Sequence, residues 1–199
     1  MHVFLGSQGL GALGAWLEGQ PCRPRRAILV PTASNPMPQA PWVDVAEAAM
    51  MAEALSVHRL DLETATPREV SAALDEADLA FVTGGYPIFL LQHAQRTGFA
   101  DGVRLRVKSG RMAYAGMSAG AALAASDLAG YRDDDDPGRV TDTAGLGLVS
   151  FYPLSHANRG REERYARIIA DEGDRYDFLP IRDDQAVIVR DGVREIRPS

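Results

Sequence analysis

Residues 112–121, MAYAGMSAGA, are a short apolar run that ends in Gly116-Met117-Ser118-Ala119-Gly120. The run predicts a strand over Met112–Ala115, and the alanine-rich stretch behind it predicts a helix. A serine between two glycines at such a junction has the form of a nucleophile elbow. The end of the strand and the start of the helix come close together there, so neighbouring side chains must be small, and Gly116 and Gly120 provide that room. The tight turn pushes the Ser118 hydroxyl out at the top of a sheet. It also aims the Ala119 N–H at the place where an oxyanion would form. The pattern is short, and it also suits a glycine-rich turn with a capping serine. The surrounding chain has to decide.

Working outward, strand-like runs alternate with helix-like segments. His2–Leu5, Arg26–Pro31, Val57–Leu60 and Asp78–Thr83 read as strands, and Trp42–Leu55, Pro87–Gln95 and Gly102–Lys108 as helices. Thr66-Pro67-Arg68-Glu69 combines a capping box with proline at the first helical position, so a further helix starts there. Beyond the elbow, Tyr131–Asp142 contains four consecutive aspartates and a Pro-Gly and reads as a loop, and Leu146–Leu154 is strand-like. Arg161–Asp171 reads as a charged amphipathic helix. Asp191-Gly192 marks a two-residue hairpin between Ala186–Arg190 and Val193–Arg197. This alternation predicts an α/β fold, doubly wound around a mostly parallel sheet with a C-terminal hairpin. A single domain spanning 1–199 is expected, because no linker or internal repeat interrupts the pattern. Such sheets place sites at the carboxyl ends of their strands, where Gly84-Gly85 and Ser118 both fall.

Composition narrows the class. The 199 residues are 46% hydrophobic and 24% charged, ordinary for a globular chain, with a net charge of −6. Arginines scattered among acids argue against a nucleic-acid partner. The lone Cys22 can make no internal disulfide, which fits a reducing compartment. No secretory signal or membrane span is evident, so a cytoplasmic protein without membrane association is expected.

A serine nucleophile needs a base, and the base needs an orienting acid. Of the four histidines, His2 lies at the wrong end of its strand, His58 in an early strand and His93 in mid-helix. His156 follows a strand-like run and opens a loop, which places it on the same sheet edge as Ser118. An order of serine, acid, histidine would nominate Asp127, Asp142 or one of Asp133–Asp136, but too much chain follows His156 for that arrangement. An order of serine, histidine, acid nominates Asp183 or Asp184 in LPIRDDQAV. The Thr83-Gly84-Gly85-Tyr86 turn is the best source of a second oxyanion donor. The Asp133–Asp136 run could attract a peptide's amino group, although such runs are usually solvated faces. No His/Cys cluster suggests a metal, and no cofactor is implied.

Set side by side, these pieces resemble the dipeptidase E (alpha-aspartyl dipeptidase) family of serine peptidases, to which cyanophycinase is related. The resemblance rests on Gly84-Gly85, GMSAGA at 116–121, the isolated His156, Arg161-Glu162-Glu163-Arg164 and the acidic turn at 183–184, and covers roughly residues 78–190. It implies a fold similar to class I glutamine amidotransferases. Those relatives use cysteine at the elbow, where this chain has serine. Carried over by motif, Ser118 would be the nucleophile, His156 the general base and Asp183 the third member, with Asp184 as the alternative acid. Gly85 and Ala119 would form the oxyanion hole, and Arg161 would receive the carboxylate of an N-terminal aspartate. A helix-surface ion-pair role suits Arg161 equally well. The family turn usually reads Gly-Gly-Asn-Thr, whereas this chain has Gly-Gly-Tyr-Pro, and its acid is Asp where the family often has Glu. Both departures bear on aspartate specificity more than on hydrolysis. The implied protein is a monomer or homodimer that hydrolyses short peptides. The alternatives are an esterase, an isoaspartyl or poly-aspartate hydrolase, or a non-catalytic domain that uses the elbow as an anion nest.

Overall fold

The computed structural model describes residues 1–199. Its main sheet has seven strands. They are β1 (His2–Gly6), β2 (Arg26–Val30), β3 (Ser56–Arg59), β4 (Leu79–Val82), β5 (Ala113–Met117), β8 (Gln185–Arg190) and β9 (Val193–Pro198), in the order β3-β2-β4-β5-β1-β8-β9. The first five run parallel, and β8 and β9 complete the sheet antiparallel. Two further strands, β6 (Tyr152–Ser155) and β7 (Phe178–Ile181), form a separate parallel pair.

The central strands are apolar at nearly every position because both faces of the sheet are covered. The two-residue period divides them cleanly. Val3, Leu5, Ile28, Val30, Ala80, Val82 and Tyr114 face one core. Phe4, Ala27, Leu29, Leu79, Phe81 and Ala115 face the other. The first core packs under α3 (Pro67–Glu76), α4 (Pro87–Arg96), α5 (Phe99–Lys108) and α6 (Ala119–Leu123). The second packs under α1 (Leu13–Glu18) and α2 (Pro41–Ala52). The capping box forms as expected: the Thr66 hydroxyl accepts from the Glu69 N–H, and the Glu69 carboxylate accepts from the Thr66 N–H. The last helix, α7 (Glu162–Glu172), lies between β6 and β7 in the chain.

Three segments differ from the sequence expectation. The run Leu146–Leu154 is a strand only over its end, Tyr152–Ser155. Its first part is buried but pairs with no strand. Instead, the N–H groups of Leu146, Gly147 and Leu148 donate to the carbonyls of Leu123, Ala125 and Ala124, which α6 leaves free at its C-terminal end. Helix α1 was not expected, because glycines interrupt its sequence. Strand β7 was hidden by Pro180 and by its half-exposed residues, which break the apolar pattern.

Candidate active site

The serine, histidine, acid and glycine pair favoured above each lie just beyond the carboxyl end of a strand. Ser118 is the first residue after β5, His156 the first after β6 and Asp183 the second after β7, while Gly84-Gly85 follow β4. Ser118 adopts φ 50°, ψ −104°, a conformation that non-glycine residues rarely take. Three backbone bonds hold it there: Ser118 N–H to Gly6 O (3.0 Å), Gly120 N–H to Thr83 O (3.2 Å) and Ala122 N–H to Ser118 O (2.9 Å). The flanking glycines are sterically required. A Cβ on Gly116 would lie 2.3 Å from Gly120 O, and one on Gly120 would lie 2.2 Å from Val82 O.

His156 Nε2 is 3.0 Å from Ser118 Oγ, and its Nδ1 is 2.7 Å from Asp183 Oδ1. With Nδ1–H donating to the carboxylate, Nε2 is left as an acceptor for the serine hydroxyl. The imidazole and the carboxylate are each mostly buried. Burial holds His156 below its usual pKa, against the raising effect of Asp183, while the positive charges of Arg161 and Arg159 add to the lowering. For Asp183, burial favours the neutral acid. Hydrogen bonds from Ser7 and His156, with the charges of His156 and Arg159, outweigh it and keep the carboxyl below its ordinary value. Arg159 forms an ion pair with the second carboxylate oxygen, Oδ2. The Asp183 N–H donates to Asn158 Oδ1 at 2.8 Å.

The other acidic candidates lie elsewhere. Asp184 is exposed and pairs with Arg182. Asp127 accepts from the Ala129 N–H and the Thr143 hydroxyl, and Asp142 accepts from the Ala144 N–H. In the acidic run, Asp133, Asp134 and Asp135 are exposed, but Asp136 is 4% exposed. Its carboxylate accepts from the N–H groups of Ile88 (2.7 Å), Phe89 (3.0 Å) and Gly138 (2.9 Å). It therefore caps the N-terminus of α4 and is spent on structure rather than held free for a substrate amine.

Gly85 has φ +141°, and its N–H makes no hydrogen bond within the chain. Ala119 opens α6, so its N–H has no intrahelical acceptor. Gly84 passes close to Ser118, since a Cβ there would lie 3.1 Å from Ser118 Cβ. Arg161 precedes α7, is exposed, and donates from Nη1 to the Tyr165 hydroxyl at 3.2 Å; that hydroxyl in turn donates to Ser155 O. No helix is long and apolar enough to cross a membrane.

One residue of this cluster was not anticipated. Ser7, the first residue after β1, is 2% exposed and bonds to both Asp183 and His156. A lone serine after a strand carries no sequence signal of its own.

The model of peptidase family S51 matches residues 15–196 of this chain. The chain belongs to peptidase family S51. The match extends well upstream of the motifs read from the sequence. An uncharacterized peptidase from Pasteurella multocida is 33% identical over 172 residues, covering 84% of this chain and 83% of that protein. Cyanophycinase from a Nostoc species is 33% identical over 129 residues, which are 62% of this chain but only 43% of the cyanophycinase. Among solved structures, a proposed peptidase E protein from Listeria monocytogenes EGD-e superposes with a TM-score of 0.87 at 26% identity, covering 100% of this chain and 98% of that one. A peptidase from an acI-B1 actinobacterium shares the fold at a TM-score of 0.69 and 19% identity. This S51 chain is accordingly a peptidase, built on the mostly parallel sheet that its alternating elements predicted.

Proposed function

We propose that this S51 peptidase is a serine exopeptidase that hydrolyses short peptides, with dipeptides bearing an N-terminal aspartate as its leading substrates. The observation that carries this reading is the continuous chain Asp183–His156–Ser118, with spacings of 2.7 and 3.0 Å, ending at a strained, half-exposed hydroxyl. In the mechanism this supports, Ser118 Oγ attacks the scissile carbonyl carbon and its proton passes to His156 Nε2. The carbonyl π pair moves onto oxygen, where the N–H groups of Gly85 and Ala119 stabilise it. Collapse of the tetrahedral species expels the amine, which takes the proton from Nε2. Water then repeats the cycle on the acyl-enzyme and releases the acid. Asp183 holds the imidazole in the tautomer this requires and stabilises its charged form.

The arginines bias the choice of substrate. Arg159 is engaged with Asp183, whereas Arg161 has only a tyrosine hydroxyl as partner and sits close enough to depress the proton affinity of His156. Its guanidinium is the available receiver for a substrate carboxylate. Replacing Arg161 with alanine is expected to raise KM for Asp-Xaa dipeptides about tenfold or more while sparing Ala-Xaa. An equal loss on both would remove Arg161 from specificity. The similarity to cyanophycinase favours a second reading, in which the same residues cleave an aspartate-containing polymer or isoaspartyl bond. A library of dipeptides, isoaspartyl peptides and a chromogenic ester, run beside fluorophosphonate labelling, tests all of these. Absence of both labelling and peptide turnover would refute the serine-peptidase reading.

The pH dependence follows from the direction of the His156 shift. The base must be neutral to accept the serine proton, and burial lowers its pKa. The acid limb of the kcat/KM profile should therefore have its midpoint below the ordinary histidine value of about 6.5. A midpoint well above 6.5 would contradict the assignment of His156 as the base.

A further inference from the structure

The three groups of the proposed triad come from two separate sheets. Ser118 ends β5 of the main sheet, whereas His156 and Asp183 end β6 and β7 of the small one. Something must fix one sheet against the other to within a few tenths of an ångström, because the reacting groups tolerate little displacement. Ser7 stands where the two meet. It follows β1, whose last residue, Gly6, pairs in register with Met117 and accepts the Ser118 N–H. Its Oγ reaches the other sheet's residues in two directions. The hydroxyl donates to Asp183 Oδ1 at 2.7 Å and accepts from the backbone N–H of His156 at 2.7 Å, with the His156 ring Nδ1 at 3.1 Å.

Both contacts act on groups that need holding. His156 has φ +62°, a left-handed conformation that is costly for a non-glycine residue. The bond from its N–H to Ser7 stabilises that turn, and the turn sets where the ring points. Without Ser7, Oδ1 of Asp183 would be held by the imidazole alone against the pull of Arg159 on Oδ2. The Ser7 hydroxyl has a single proton, and giving it to Oδ1 keeps that oxygen on the imidazole side. A second tie runs alongside, from the Gly9 N–H to Asp183 O at 2.9 Å.

We propose that Ser7 is a positioning residue of this site, pinning the His156–Asp183 pair of the small sheet onto the Ser118 end of the main sheet through one hydroxyl. The proposal rests on the serine-peptidase reading. Replacing Ser7 with alanine is expected to lower kcat about 10- to 100-fold, with KM changed less than about threefold. It should also weaken or abolish the low-field proton resonance of the His156 Nδ1–H. Ser7→Thr, which retains the hydroxyl, should recover most of both. In an Asp183→Asn background the same alanine change should cost clearly less than in the parent, because one of the two groups it holds is gone. Should Ser7→Ala not fold, Ser7→Cys, near in volume but a weak hydrogen-bonding group, is read by the same criteria. A kcat within twofold of the parent, an unmoved resonance or full additivity with Asp183→Asn would each overturn the role of Ser7. Ser118→Ala in the same assay separates the two ideas. If it is inactive while Ser7→Ala is unaffected, only the Ser7 proposal fails. If Ser118→Ala is active, the serine-peptidase reading fails with it.

Discussion

Replacing Ser118 with alanine is expected to lower kcat/KM for the best dipeptide by about 10⁴-fold or more, with the folded state nearly unchanged. The separation of these two effects follows from the geometry. The strained turn at 118 is held by backbone groups alone, namely the bonds to Gly6 O, from Gly120 to Thr83 O, and from Ala122 to Ser118 O. None of them uses Oγ. The side chain is only half-buried, so water can take its place beside His156 Nε2, and the stability cost should stay within about 1 kcal/mol. The chemistry has no such substitute. In the proposed mechanism no acyl-enzyme forms without Oγ, and the proposed donors at Gly85 and Ala119 could then only polarise a carbonyl for attack by water. On the proposal that the three groups act as a unit, Ser118→Ala combined with His156→Ala should be no slower than either change alone. Asp183→Asn should leave the fold intact but disfavour the tautomer in which Nε2 accepts, at a cost of several orders of magnitude. Asp184→Asn, at an exposed residue paired with Arg182, should have little effect. Steady-state kinetics, thermal unfolding and fluorophosphonate labelling check the set. Peptidase activity retained in Ser118→Ala would end the covalent mechanism.

What could be read from the chain, and what could not, divides by the range of the interactions involved. The parallel core was legible because strands such as Leu79–Val82 are covered on both faces and carry no polar residue. The elbow was legible because its demands are local: a tight turn, small neighbours and a helix start lie within ten residues. His156 came from a rule about strand ends and from elimination among four histidines, whereas the same reading left Asp183 and Asp184 open and only the family resemblance favoured Asp183. His156 does follow a strand and lies beside Ser118, even though most of the expected strand before it is not a strand. The apolar residues at 146–151 are buried, as their character requires, but α6 carbonyls rather than a neighbouring strand take up their N–H groups. Apolar periodicity reports burial, and the partner of the backbone is decided elsewhere in the fold. Asp136 shows the same limit for charge. In a run of four identical residues, nothing local distinguishes the one whose carboxylate caps α4 from its three exposed neighbours. Ser7 is the extreme case. Its partners lie 149 and 176 residues away, and only the closing of the two sheets brings them to it.

Gly85→Ala is expected to lower kcat by about 10²- to 10³-fold and to destabilise the fold by about 2–4 kcal/mol. At φ +141° the backbone lies in a region open to glycine almost alone. The added Cβ would lie 2.0 Å from Ala33 O and 2.7 Å from Ser34 N, so either the turn or the 32–34 segment must move. Neither is free to do so. Ala33 O accepts the Tyr86 N–H at 2.8 Å, and the Ser34 hydroxyl donates to Gly84 O at 2.6 Å while accepting from the Trp42 indole at 3.0 Å. These bonds clamp the turn from both sides and fix the backbone from which the proposed Gly85 donor would act. A shift of about 1 Å to clear the methyl would swing that donor away from the developing oxyanion. The loss should fall on kcat more than on KM, because the N–H is needed where charge develops, not where the peptide first binds. Gly130→Ala is the control: that glycine has ordinary φ and nothing within 4 Å of an added Cβ, so it should change neither quantity appreciably. If Gly85→Ala kept kcat within twofold while losing stability, the turn would be a structural clamp only, and the second oxyanion donor would have to be sought elsewhere around Ser118.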